Sequence, residues 1–411
     1  MNNTTVVIIV AAIVVLAVIA FLIIRRQRYK RALASRGWSF DSKPALETVL
    51  DHQAPPFGLG FERDVDEGVA GGTRAGIRFR VFEYICREGG PKFDQRLASL
   101  QLPLALPDLF VSAGGARSGV RLPEVDIDPR LQVRAADPGY ARAVLSPGAL
   151  NAIATFGQAD YPVDLSIDGE HLVAVGAPKA PDELETYLEA LAPVAQAIDP
   201  AALASYAVPP RPPGFAFYGR PDWVYTGRDN SLIDVYGLTR VGFGHSTEKL
   251  VRAANDGLPL DAFIHRWKTR RTETYTDSDG NTRTRTVTEQ HDETVCVVNL
   301  PFAFPLISVG GGWGGQRVRF ESEEFNDRFK IKTDDAKFTY DVIHPRTMEF
   351  MMAVDPPDFR IEDHLMRFAL SSHDTLLIGL CADFAHEFFG RVPSFVWHDL
   401  GVERPEFRRS A

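Results

Sequence analysis

Histidine is the side chain that most readily binds metals and moves protons near neutral pH, and its distribution here is uneven. Eight of the ten histidines fall in the second half of the chain: His245, His265, His291, His344, His364, His373, His386 and His398. A zinc-binding helix needs two histidines four residues apart on one face. There is no HExxH, and His386-Glu387 lacks the second histidine. His344 precedes Pro345 and reads as a helix-turn residue. The run Gly310-Gly311-Gly312-Trp313-Gly314-Gly315 could cradle a phosphate. A phosphate loop, however, continues into Lys-Ser/Thr or a helix, and Gln316-Arg317-Val318-Arg319-Phe320 reads as strand. A flexible loop is the better reading. No GxSxG elbow is present. Cys86, Cys296 and Cys381 sit in apolar runs without ligand spacing and read as small buried hydrophobes.

Two duplicated pairs, Arg130/Asp137 and Arg328/Asp335, could hold an anion, but seven-residue spacing around a strand-to-helix turn reads as structural. Arg270, Arg271, Arg283 and Arg285 alternate with Glu and Asp without stacked aromatics, the pattern of a solvated face. A net charge of −9 argues against a nucleic-acid partner. No catalytic, cofactor-binding or metal residue is therefore assigned. Nothing convergent points to an enzyme, and no cofactor is expected.

The elements around these residues come from a duplicated module. Residues 101–150 align without a gap on 299–348, with twelve identities in fifty pairs where chance gives about three or four. Apolar positions are kept at Leu131/Phe329, Val133/Ile331 and Leu145/Ile343; Pro147/Pro345 keeps a stop. The alternation in Arg78-Phe79-Arg80-Val81-Phe82-Glu83 marks a half-buried strand. A strand around 97–106 should end at its prolines, and 163–175 reads as a hairpin turning at Asp168-Gly169. Asp137-Pro138 and Asp374 are helix starts. The threonine- and arginine-rich stretch 268–294 reads as a long solvated hairpin. The fold class expected is α+β: two tandem similar domains, each an antiparallel sheet with helices toward its C-terminal half. Domain boundaries follow at 1–35, 36–199, a proline-rich spacer at 200–214, 215–403 and a tail at 404–411.

Val6 to Ile24 is nineteen residues without charge or proline, about 28 Å as a helix, which matches a bilayer core of about 30 Å. The expectation is an N-terminal transmembrane helix whose partner is the lipid bilayer. Arg25, Arg26, Arg28, Lys30 and Arg31 follow it, so a single-pass cell-membrane protein with cytoplasmic domains is expected.

Three stretches of the second repeat are shared with a known family: Glu321-Ser322-Glu323-Glu324-Phe325-Asn326-Asp327-Arg328-Phe329, His344-Pro345-Arg346-Thr347-Met348-Glu349 and Phe395-Val396-Trp397-His398-Asp399-Leu400-Gly401. They resemble a set of uncharacterised actinobacterial membrane-anchored proteins with one N-terminal transmembrane helix and one such domain. The resemblance covers the anchor and most of 222–401; the first repeat is a worn copy in which Ile127-Asp128-Pro129-Arg130-Leu131 replaces Phe325-Asn326-Asp327-Arg328-Phe329. It implies a type of protein and no catalytic residue. The function expected is a binding or scaffolding module at the membrane with a possible protein partner. The alternative is a lipid or small-ligand module with a cleft between the repeats, and an enzyme is a distant third.

Overall fold

The chain divides into two compact units, Met1–Arg87 with Pro91–Gly214, and Phe215–Ala411. The computed structural model describes residues 3–87, 92–115, 119–255, 257–276, 281–311 and 314–406, with side chains from Val14 onward.

In the first unit, helix α1 (Asn3–Ala34) leads into strands β1 (Ser39–Asp41), β2 (Glu62–Gly72), β3 (Arg78–Arg87), β4 (Phe93–Ser112) and β5 (Gln132–Ala135). Helices α2 (Pro138–Val144) and α3 (Pro147–Gln158), strand β6 (Asp164–Val175), and helices α4 (Pro181–Gln196) and α5 (Pro200–Leu203) follow. All the strand pairs are antiparallel, in the order β1-β2-β3-β4-β5 with β6 also on β4. Strand β3 is buried on both faces rather than one: Phe79 and Val81 enter a core with Leu100, Val133, Phe156, Leu184 and Leu188 under α2 to α4, while Phe82, Tyr84 and Cys86 are buried on the other side. Asp137 caps α2 by accepting from the Gly139 N–H at 2.7 Å.

Two expectations about the sheet are corrected. Strand β4 runs through Pro103 and Pro107 rather than ending there, and 163–175 is one strand, not a hairpin. The physical reason lies in their pairing. The register between β4 and β6 shifts between Gln101 and Leu106, where the prolines cannot donate to a ladder. Gly169, at φ +58°, bends the partner strand to match.

The membrane expectation is also corrected. Among the described residues no helix is long and apolar enough to cross a membrane. Of the expected span, the side chains of Val6 to Ile13 lie outside the described residues. The fold is two antiparallel sheet-and-helix units without a supported N-terminal transmembrane helix. The single-pass reading, and the sidedness that rested on it, go with the span. The far end of α1 packs instead on the first unit: Leu33 is fully buried, Tyr29 meets Phe40 edge-on, and Arg36 pairs with Glu185 at 2.8 Å.

The second unit contains β7 (Val224–Gly227), α6 (Ser231–Val235), β8 (Phe243–Asn255), β9 (Leu258–Thr276) and β10 (Thr282–Val309). Then come β11 (Gln316–Arg317), α7 (Glu323–Arg328), β12 (Ile331–Thr333), α8 (Ala336–Val342) and α9 (Pro345–Val354). Strand β13 (Phe359–Leu370) and helices α10 (Thr375–Arg391) and α11 (Ser394–Asp399) complete it. Its sheet repeats the six strands of the first and adds β11 at the edge, beside β12. Leu109 opposite Ala135 becomes Ile307 opposite Thr333; Phe82 opposite Leu97 becomes Phe263 opposite Val295; Phe40 opposite Val69 becomes Tyr225 opposite Val251. The ladder of β9 and β10 extends outward as mostly exposed strands from Lys268–Gln290 to Thr276–Thr282. The turn expected at Asp279-Gly280-Asn281 lies largely outside the described residues, as does the tail from 407.

Candidate functional site

The second face of the first sheet is covered by the chain between β1 and β2. A 3-10 turn at Leu46–Val49 places Val49 and Phe57 in a small core with Val65, Phe82, Tyr84, Leu97 and Val173. Asp51 and His52 lie at the rim of that core. Their loop is fixed from behind: Asp168 is 1% exposed and its carboxylate accepts from the Gln53 and Ala54 N–H groups at 2.8 and 3.0 Å. Arg211 reaches Asp168 at 2.9 Å and Asp108 at 2.6 Å. Arg211 lies in the proline-rich segment, which is latched to this unit. Val208 N–H donates to Ala105 C=O and Gly214 N–H to Leu50 C=O, both at 3.0 Å. The opposite end of the loop receives Arg80, whose Nη1 donates to Thr48 C=O at 2.5 Å.

Asp51 is the hub. One carboxylate oxygen meets His52 Nδ1 at 2.8 Å; the other meets Arg80 Nη2 at 2.5 Å and His171 Nε2 at 3.1 Å. Burial would raise its pKa, but hydrogen bonds from His171, His52 and Arg80 overcome this and hold it well below the usual carboxylate range. An ionised Asp51 can only accept, so His52 donates through Nδ1. His52 is buried, and burial lowers its pKa to about 4 against the opposing pull of Asp51. It is therefore neutral at pH 7, with Nε2 unprotonated. Ser99 Oγ lies 2.8 Å from that nitrogen and must donate its proton to it.

These groups open onto a cleft of about 490 Å³ lined by Asp51, Arg80, Ser99, Gln101 and His171 among others. Its floor is the sheet. Ser99 stands opposite Arg80 on one side and Val173 on the other, and Gln101 opposite His171. Gly71 of β2 also lines the cleft; the absence of a Cβ there lets Trp38 pack against the strand, since a Cβ would sit 2.4 Å from the Trp38 ring.

Asp51, His52 and His171 are the one group among the described residues with three potential metal ligands close together. One carboxylate and two imidazoles would suit zinc or iron. The ring geometry does not. An imidazole binds a metal in its own plane, and the His52 and His171 rings are stacked at 4.3 Å with only 10° between planes. Near-parallel planes share no nearby point, so the cluster is built as a hydrogen-bond relay.

The residues singled out from the sequence are placed elsewhere. Arg130 pairs with Asp128 at 2.6 Å and Arg328 with Asp355, while Asp137 and Asp335 cap helices. Of the glycine run, Gly312 and Trp313 lie outside the described residues, and Gly311 N–H already donates to the Asp358 carboxylate at 3.3 Å. The hairpin arginines are absorbed locally: Arg271 pairs with Glu273 and Glu289, Arg285 with Glu273, and Arg270 lies over Phe243. All three cysteines are buried, and none is in a disulfide. Among the later histidines, His265 links His245 at 3.0 Å to Glu293 at 2.9 Å, and His364 and His373 bond to backbone carbonyls. Sequence reasoning passed over the two histidines of the first repeat. Adjacency of Asp51 and His52 is a faint signal, and nothing in spacing links them to Ser99 or His171.

The second unit has its own cleft, about 990 Å³, between α8, α9, α10 and α11. Two of the three stretches behind the family resemblance meet there, through His344, Pro345 and Arg346 and through Phe395. Arg346, Arg391 and Arg404 line it with only two carboxylates, Asp341 and Glu387. Both carboxylates are paired, Glu387 with Arg391 at 2.5 Å and Asp341 with Lys337 at 3.4 Å.

No protein-family model and no curated protein matches the chain. Among solved structures, the crystal structure of the mycobacterial trehalose monomycolate transport factor A, TtfA, is similar over 45% of this chain and 97% of that chain. The sequence identity is 15% and the TM-score 0.32, too distant to transfer a ligand or partner. The family resemblance read from the sequence has no matching family model behind it.

Proposed function

We propose that this chain is a binding module whose second unit takes an anionic small ligand, a phosphate- or carboxylate-bearing molecule or headgroup. The observation that supports it is the excess of guanidinium over carboxylate in the 990 Å³ cleft. That volume is at the upper end for small-molecule sites, and arginine is the side chain best shaped for phosphate and carboxylate. Arg391 is held rigid, lying 3.9 Å from the Phe350 ring centroid and donating to Glu387 C=O at 2.7 Å. Arg404 is steered by Gly390 C=O at 3.0 Å, and Arg346 is exposed at the first turn of α9. A site held within one unit takes the place of the cleft between repeats.

Titration calorimetry of the full chain with inorganic phosphate, a short-chain phosphatidic acid and a short-chain fatty acid tests this. Binding of at least one, weakened tenfold or more by Arg346→Ala with Arg404→Ala, is the expected result. Affinity indifferent to both substitutions, or no heat with any of the three, would end the proposal.

A further inference from the structure

We propose that Ser99, His52 and Asp51 form a nucleophilic relay that accepts the acyl group of an ester or thioester in the cleft of the first unit. The inference stands apart from the anion-binding reading, which concerns the other unit. Three observations carry it. Ser99 Oγ, His52 Nε2, His52 Nδ1 and the Asp51 carboxylate form one chain of hydrogen bonds, each of 2.8 Å. The direction of that chain is fixed, because Asp51 is ionised and can only accept, so the proton of Ser99 points at a bare imidazole nitrogen. Ser99, at the end of the relay, is 2% exposed and lines a cleft of about 490 Å³.

The neighbours fit the task. Asp51 is itself held by Arg80 and His171, so it keeps its charge and fixes the His52 tautomer. Gln101 is two residues from Ser99 on the same strand, hence on the same face, and lines the same cleft. Its amide N–H groups are the donors proposed for the oxyanion.

In the step proposed, Ser99 Oγ attacks the carbonyl carbon and its proton moves to His52 Nε2. The bond from that carbon to the leaving oxygen or sulfur breaks, and His52 returns the proton to the departing alcohol or thiol. Water then repeats the sequence on the seryl ester, releasing a carboxylic acid and restoring Ser99. No oxidant, metal or cofactor enters the balance.

The second unit is an internal control. The opposed pair Arg80–Ser99 is replaced there by Asp261–Val297, and the pair Gln101–His171 by Asn299–Leu365. The frame is duplicated and the relay is not.

The test is labelling of the full chain with a fluorophosphonate, followed by peptide mass mapping. A phosphonyl adduct at Ser99 is expected, absent in Ser99→Ala. It should form at least 100-fold more slowly in His52→Ala, with unchanged far-UV circular dichroism. Release of p-nitrophenol from p-nitrophenyl butyrate should fall in parallel in both variants. If either variant fails to fold, the adduct map of the unmodified chain decides alone. No adduct at Ser99, or labelling undiminished in folded His52→Ala, would leave a buried hydrogen-bond network only and overturn the proposal.

Discussion

Replacing Arg211 with methionine keeps the stem of the side chain and removes its charge, leaving two carboxylates facing each other. Asp168 is 1% exposed, and burial together with the charge of Asp108 pushes its pKa up to about 6, even with Arg211 and the Gln53 and Ala54 N–H groups pulling it down. Removing one partner of a buried ion pair costs about 3–5 kcal/mol. Two effects reduce that figure. Arg211 is 28% exposed, and Asp168 can escape by taking up a proton. From a pKa of about 6 that uptake costs about 2 kcal/mol at pH 7.5. The net loss at pH 7.5 should be about 2–3 kcal/mol, or about 4–12 °C in the melting of a unit of this size. The sign of the pH dependence follows from linkage. Asp168 binds its proton more tightly folded than unfolded, so its contribution to stability falls as pH rises from about 4 through about 6. Without Arg211 the folded value climbs and that fall extends to higher pH. The gap between variant and parent should therefore widen from pH 5 to pH 7.5 and be below about 1 kcal/mol at pH 5. Scanning fluorimetry at the two pH values reads both quantities. Arg211→Met with Asp168→Asn, which leaves no buried charge at 168, should recover most of the loss. An equal loss at both pH values would show that Arg211 acts by packing alone and refute the charge argument.

Two further outcomes follow from the packing. Replacing 269–290 by a short turn should change the melting temperature by less than about 3 °C, because an exposed two-stranded ladder adds little; a drop beyond about 10 °C in calorimetry would mean it packs on something. Asp374→Ala removes the acceptor of the Leu376 and Leu377 N–H groups at 2.8 and 3.1 Å. It should cost about 1–2 kcal/mol in urea unfolding, because Phe384, Phe388 and Phe389 ride on the helix it starts; no shift in midpoint would put the cap among dispensable ones.

What the sequence made legible was the part governed by local rules. Alternation located β3, caps located α2 and α10, and strand ladders 198 residues apart keep the pairing of their opposite partners. The misreadings came where tertiary pairing overrode a local signal. Prolines in β4 did not end it because the bend is shared by β6, and Asp168-Gly169 made a bend rather than a turn for the same reason. The apolar N-terminal run gave a length match to a bilayer, yet no spanning helix is found among the described residues. Ser99 is alternation-neutral in its strand and His52 sits in an irregular loop, 47 residues apart. Only the fold brings them to 2.8 Å.

The duplication explains why the chemistry was hard to see. Comparing repeats draws attention to positions that match, and matching positions are those the shared frame needs: Val111/Val309 in the strand, Asp137/Asp335 at the cap. A site present in one copy must lie where the copies differ, and Ser99 and His171 correspond to Val297 and Leu365. It follows that putting a serine back is not enough. In the second unit Asp261 stands opposite position 297 and is already engaged by Tyr236 Oη at 2.5 Å and Arg252 Nε at 3.3 Å, so no imidazole receives the hydroxyl proton. Val297→Ser should fold, at a cost of about 2–3 kcal/mol for the branch lost from a fully buried side chain and the hydroxyl buried in its place. Treated with the fluorophosphonate, it should carry no adduct at residue 297. An adduct there at a rate near that of Ser99 would mean that position in the strand, not the His52–Asp51 pair, governs reactivity.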